Sequence, residues 1–219
     1  FYPSSTWISD YWPKGIGFYK WLASKGWDEA ESLKLAGGTR GSKVHAAIEY
    51  LEFQKNLPIE TQFTNPNTNQ PEDLTEEELF CIAGFHKWFL KVNPQMLASE
   101  LTVFGDGYAG TLDRIYKIDN DIWIIDFKTS QQIWVNMELQ ISSYNNASID
   151  YKNLGIKEEA WKRRKMAILQ LGYRLNKASW KFTEIEDKFE LFQLAKIIWK
   201  NENPDSKPKQ RDYPLIFKI

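Results

Sequence analysis

The chain has 219 residues, 42% of them hydrophobic and 15% aromatic, with 28 basic against 29 acidic side chains and a formal net charge of −1. That is enough for one well-buried domain, while a mean hydropathy of −0.52 and the lack of a long apolar run exclude a membrane span. Cys81 is the only cysteine, which excludes a disulfide framework and a cysteine-held iron–sulfur cluster, and the near-zero charge leaves only local basic patches to meet a nucleic acid.

One domain is expected over residues 1–219, mainly helical over 1–98 and containing the sheet over 99–219. Residues 1–35 mix Pro3, Pro13, Gly15 and Gly17 with aromatic residues, then become helically periodic through Phe18, Trp21 and Leu22. This predicts an irregular start and a short helix. Tyr2, Trp7, Tyr11 and Trp12 are either core or a stacking surface for bases, and core is the commoner use. Gly37-Gly38-Thr39-Arg40-Gly41-Ser42 predicts a break before a helix over 43–54. Val44, Ala47, Ile48 and Leu51 form its buried stripe, and His45 and Glu49 share a face one turn apart. Lys34, Arg40 and Lys43 make a basic approach to His45. Residues 56–73, rich in Asn, Thr and Pro, read as a loop. Thr75 followed by Glu76-Glu77-Glu78 is a capping-box start for a helix to about Lys91, with Leu79, Ile82, Phe85 and Phe89 inside. His86, on that helix, reads as structural.

Residues 99–104 read as a first strand and 105–107 as a turn into a hairpin. Its arms are the alternating runs YAGTLDRIYKI and DIWIIDFKT, joined through Asp119-Asn120-Asp121. Asp113 and Asp126 are out of place there, because carboxylates are depleted in strands and costly to bury unpaired. A divalent cation accounts for both. Lys128, two residues past Asp126, shares its face of the strand. An Asp-x-Lys pair alone is usually a surface ion pair. The combination is more specific: an apolar run before Asp126, a second Asp in the adjoining strand, Glu100 on the strand before, and Gln140 and Tyr144 on the helix after. Such oxygen ligands suit Mg²⁺ or Mn²⁺ and a hydrolytic site for phosphodiesters.

A helix over 133–151 follows, in which Gln140 and Tyr144, four residues apart, share a face. Residues 164–173 and 178–185 predict two strands joined at Asn176-Lys177, and 187–201 an amphipathic helix. The tail segment LIFKI, 215–219, reads as a short last strand. The basic run Lys162-Arg163-Arg164-Lys165 reads as a solvated helix face.

These motifs resemble the PD-(D/E)XK nucleases, and within them the RecB-like branch of exonucleases. GTLDRI corresponds to the first metal-binding Asp, Asp113, and IIDFKTS to the second, Asp126, with the catalytic lysine, Lys128. Q-x-x-x-Y falls at Gln140 and Tyr144, and TRGSKVH, ending at His45, is similar to the upstream helix whose histidine completes the metal site. The opening FYPSSTWISDYWPKGIGFYKWLASKG is similar to the start of phage-type and mitochondrial genome maintenance exonucleases, so the match spans roughly residues 1–145.

The resemblance implies an α/β fold, a mixed central sheet of about five strands flanked by helices in a restriction-endonuclease-like core. It implies catalytic roles for Asp113, Asp126, Lys128 and Glu100. One or two Mg²⁺ or Mn²⁺ ions would be held by His45, Asp113, Asp126 and the Phe127 backbone carbonyl, without an iron–sulfur cluster. Gln140, Tyr144, Arg40, Ser42 and Lys43 would contact substrate. Glu100 would hold a second metal or a metal-bound water, or pair with Lys128 or an arginine. Lys128 would orient or deprotonate the attacking water and offset phosphorane charge. The activity implied is that of a metal-dependent DNA nuclease, an exonuclease acting on single-stranded or end-containing DNA. The rivals are a catalytically silent nucleic-acid-binding or assembly protein on the same fold, and an endonuclease. An inactive relative has no physical reason to keep Asp113, Asp126 and Lys128 on one sheet face, and no helix-turn-helix or zinc motif marks a sequence reader. The expected partner is DNA, as single strands or duplex ends, with no membrane. The expected compartment is the cytoplasm of a bacterial or phage-infected cell, the mitochondrion remaining open because the chain starts at Phe1 without a Met.

Overall fold

The computed structural model describes residues 2–206. Three helices come first: α1 (Ser5–Asp10), α2 (Ile16–Lys25) and α3 (Trp27–Gln54). A ribbon of two short strands, β1 (Phe63–Thr64) and β2 (Pro71–Glu72), leads to α4 (Glu76–Val92). An antiparallel meander follows: β3 (Gln95–Gly105), β4 (Tyr108–Ile118) and β5 (Asp121–Lys128). The chain then crosses through α5 (Val135–Asn145) and the short α6 (Glu158–Lys162) to β6 (Lys165–Leu171), β7 (Trp180–Ile185) and α7 (Phe189–Glu202).

The five long strands form one sheet in the order β3-β4-β5-β6-β7, with β5 and β6 parallel and the other pairs antiparallel. The protein is therefore an α/β fold with a five-stranded mixed sheet flanked by helices. Strand periodicity explains how β5 serves two layers. Trp123, Ile125 and Phe127 pack with Val44, Ile48, Phe85 and Trp88 of α3 and α4. Ile122 and Ile124 point the other way, towards Ile141 and Tyr144 of α5. Asp126 and Lys128 continue that second row beyond its apolar part. No described helix is long and apolar enough to cross a membrane.

Several local expectations change. The glycine run does not break the chain, and α3 passes through it unbroken for 28 residues. Glycine is permissive there, and its helix-interior cost of about 1 kcal/mol each does not outweigh a C-terminal half anchored by Val44, Ala47 and Ile48. Ser4 caps a helix, α1, inside what reads as an irregular start. The 56–73 loop contains the β1–β2 ribbon, whose strands are too short for periodicity to show. α5 stops at Asn145 instead of 151, because Ser148 N–H donates to the Phe104 carbonyl at 2.8 Å and draws the chain to the edge of the sheet. The α4 capping box forms as expected, Thr75 and Glu78 bonding each other's backbone N–H. The strand expected over 215–219 lies outside the described residues.

Candidate functional site

The register of β4 and β5, carried one step past Arg114↔Ile125, sets Asp113 opposite Asp126. Asp113 is 7% exposed and Asp126 1%. Asp113 Oδ2 accepts the Phe127 backbone N–H at 2.7 Å, which stitches the two strands together through a side chain. Asp126 Oδ2 faces the Lys128 ammonium at 2.6 Å, while Asp126 Oδ1 is buried with no hydrogen-bond partner among the described residues. A carboxylate oxygen left this way costs more than about 1 kcal/mol unless something outside the chain meets it.

Glu100 reaches the same place by an unusual backbone. It stands at φ +46°, between the paired residues Ser99 and Leu101, in a strand that already carries a register shift at Met96/Ala98. A non-glycine residue in this left-handed region is strained, and such strain gathers at functional sites. His45 comes from α3. Its Nε2 is 3.2 Å from the Phe127 carbonyl, and Nδ1 is 3.7 Å from Asp113 Oδ1. A carbonyl only accepts, so Nε2 carries the proton and Nδ1 turns its lone pair towards the carboxylates. The ligand atoms of His45, Glu100 and Asp113 all lie within 4.8 Å of one another. Asp126 falls outside that group and sits with Lys128 instead. The Phe127 carbonyl, in this arrangement, orients the histidine ring.

Burial dominates the charge balance. It pushes the Asp126 carboxyl up to about 6, against the pull of Lys128, and pushes Asp113 up in the same way. Glu100 is raised by burial and then by Asp113. His45 is lowered by burial and by Lys128, so its ring is held neutral. Burial would pull Lys128 down, but Asp126 and Asp113 outweigh it and the ammonium ends above its ordinary value. Burial thus makes these carboxylates costly to hold ionised even with the lysine in place.

A polar chain holds that lysine. Lys128 Nζ donates to Gln140 Oε1 at 3.1 Å, and Gln140 Nε2 donates to Tyr144 Oη at 2.8 Å and Thr6 Oγ1 at 3.1 Å. Gln140 and Tyr144 therefore meet the centre through Lys128. Of the basic approach, Lys43 is withdrawn from solvent at 2% exposure, with its ammonium 3.0 Å from Glu78 and 2.7 Å from the Asp73 carbonyl. It ties α3 to the start of α4 and is not free to meet a phosphate. Arg40 Nη1 is 2.8 Å from Glu77, and Ser42 is exposed. The run at 162–165 disperses: Lys162 pairs with Glu158, Arg164 donates to the Asn145 and Trp161 carbonyls, and Lys165 pairs with Asp121.

Three residues at the site go beyond the sequence-based expectation. Arg114 is fully buried, with Nε 2.7 Å from Glu52 and Nη1 3.0 Å from Glu100 and 2.7 Å from the Asp113 carbonyl. Its guanidinium lies 5.4 Å from the Phe127 ring centroid. Glu52 also accepts from Tyr116. Glu100 is thus paired with an arginine, one of the roles open to it. Glu52 is seven residues past His45 on one helix face, a spacing that marks it in hindsight. Thr6, the third, has no motif around it.

No family model matches the chain, and no curated protein matches it. Among solved structures, the crystal structure of SSO0001 aligns with a TM-score of 0.35 at 13% sequence identity, covering 78% of this chain and 77% of that one. A likeness at that level carries no argument. What the fold and the site define directly is an α/β protein whose central hairpin carries two buried carboxylates and a charged lysine at the edge of an acidic–histidine cluster.

Proposed function

We propose that this chain is a metal-dependent nuclease of the PD-(D/E)XK type that hydrolyses phosphodiester bonds in DNA, acting on single strands or ends. The observation that carries the reading is the pair Asp113 and Asp126, both made costly to ionise by burial, with Asp126 Oδ1 unpartnered among the described residues and Lys128 at 2.6 Å. The donor set of carboxylates and one neutral imidazole fits a hard divalent cation such as Mg²⁺ or Mn²⁺. Asp113, Glu100 and His45 would hold it, with the free oxygen of Asp126 turned to the same purpose. Once bound, such an ion supplies Lewis-acid polarisation of a phosphoryl oxygen and acidification of a water molecule.

The chain's own groups divide the remaining work. Lys128, raised above its ordinary value by two carboxylates, stays an ammonium at neutral pH. It therefore serves as a donor and a charge stabiliser at the phosphorus rather than as a base in the resting protein. Gln140 and Tyr144 fix its position, while Arg114 holds Glu100 and the β4 backbone in place.

The test is degradation of end-labelled single- and double-stranded DNA with Mg²⁺, with Mn²⁺ and with EDTA. Cleavage that needs the metal and is lost in Lys128→Ala supports the reading. If wild-type protein cleaves neither DNA nor RNA under any of these conditions, a catalytically silent nucleic-acid-binding protein replaces it.

A further inference from the structure

Outside the carboxylate centre, the chemistry that folding leaves unused is aromatic. A cleft of about 840 Å³ lies between the α2–α3 hairpin and the loop from β5 to α5, walled by Phe18, Tyr19, Trp21, Trp27 and Trp134. Core packing does not explain these rings. α2 buries none of its residues, Trp27 is 68% exposed and Trp134 52%. Indoles left in water forgo a large apolar gain, and a contiguous patch of them marks a binding surface.

The cleft lies near the candidate site. Trp134 stands at the N-cap position of α5, the helix that carries Gln140, and Gln132 in the wall lies four residues past Lys128. Asp10, also in the wall, accepts from Asn136 Nδ2 at 2.8 Å and is close enough to act on the Lys128 charge. From these observations we propose that the cleft is a stacking channel for the unpaired bases of a single-stranded polynucleotide, leading its backbone to Lys128 and the carboxylates. The proposal rests on the nuclease reading and adds where the strand runs and which groups recognise it.

The chemistry of the wall selects this occupant. Leu22 is its one large aliphatic residue, so it lacks the ridges that would seat an apolar helix, whereas aromatic faces take any base. Lys14 and Lys34 stand in the wall, paired among the described residues with Asp10 at 3.5 Å and Glu31 at 3.8 Å, which line it too, with Lys34 exposed and Lys14 partly so. Such pairs are worth little and give way to a phosphate. Bases of an intact duplex present no free faces, so the channel discriminates in favour of single strands and frayed ends.

The experiment compares binding of short oligothymidylate with that of an abasic strand of equal length, using the full chain in EDTA so that nothing is cut. Wild type should prefer the strand with bases by about tenfold or more, the scale of one or two stacked rings. The variant carrying Trp27→Ala and Trp134→Ala should lose most of that preference with an unchanged melting temperature, and the double Trp→Phe variant should keep it. If wild type cleaves DNA yet the Ala variant retains the full preference for bases, the channel is refuted while the nuclease reading stands. If wild type neither binds nor cleaves DNA, the nuclease reading fails and the channel with it. A switch from dimer to monomer on sedimentation of the Ala variant, with base preference intact, would show that a second copy covers the cleft and would also overturn the proposal.

Discussion

Replacing Asp126 by Asn removes a charge while keeping the shape of the side chain, and its effect depends on pH in a direction the structure fixes. Burial raises the Asp126 carboxyl from its ordinary 3.8 to about 6. Below the unfolded value both states are protonated and the group contributes nothing to the difference. As pH rises between the two values, the unfolded chain ionises first, so the folded protein holds more protons and loses stability. Above about pH 6 the penalty is complete, and the size of the change corresponds to about 3 kcal/mol. An amide at this position does not ionise and escapes the penalty. In EDTA the Asp126→Asn variant should match wild type near pH 4 and be more stable by up to about 3 kcal/mol near pH 7, read from urea midpoints across the range. Saturating Mn²⁺ should shrink or reverse the difference by stabilising wild type more than the variant, which keeps Asp113, Glu100 and His45 but loses the Asp126 carboxylate. A variant less stable than wild type at neutral pH without metal, or a difference that does not change with pH, would refute the reasoning and make the carboxylate a structural group.

Lys128→Ala should lower single-turnover cleavage by about a hundredfold or more with DNA affinity in EDTA little changed, and Lys128→Arg should rescue poorly because a guanidinium does not fit between Asp126 and Gln140. A large loss of affinity instead would make the lysine a ground-state contact. At position 100 the backbone separates two substitutions that both delete the carboxylate: Glu100→Gly should be more stable than Glu100→Ala by about 1 kcal/mol, since only glycine accepts φ +46° without strain. Equal denaturation midpoints would show that the strand relaxes out of that conformation. Arg114→Met should cost about 3 kcal/mol or more by stranding buried Glu52, and Arg114→Lys should recover little of it; thermal or chemical unfolding decides, and a near-neutral Met variant would mean that water reaches Glu52.

The hairpin is legible in the sequence because its information is local: alternating residues, a short polar connection, and carboxylates at positions where strands rarely carry them. His45 is legible only through its resemblance to a motif. Arg114 is not, since an arginine on a strand reads as solvent-facing until a distant helix supplies Glu52. Glu100 is legible as a carboxylate near the site but not as a strained one, because its φ depends on how β3 is displaced against β4. Lys43 reads as a surface charge for the same reason, its partners Glu78 and Asp73 lying some thirty residues away. The glycines of α3 read as a break because helix propensity weighs each residue alone, while anchoring of the helix at its far end is a tertiary effect.

The mixed order of the sheet also dictates when the site is completed during folding. β4 and β5 are joined by two residues, so their hairpin closes locally, on a scale of about 1–10 μs, and brings Asp113, Asp126 and Lys128 together while water still surrounds them. The parallel partner, β6, arrives only after the crossover through α5 and α6 has been organised, and it sets Ile168 beside Asp126. Long-range parallel pairing of this kind is slow. The carboxylates therefore lose their hydration late, when β6 and α3 close around a hairpin already formed. On the proposed metal reading, a cation would be captured as the last apolar wall goes up, so divalent ions should slow unfolding more than they speed folding.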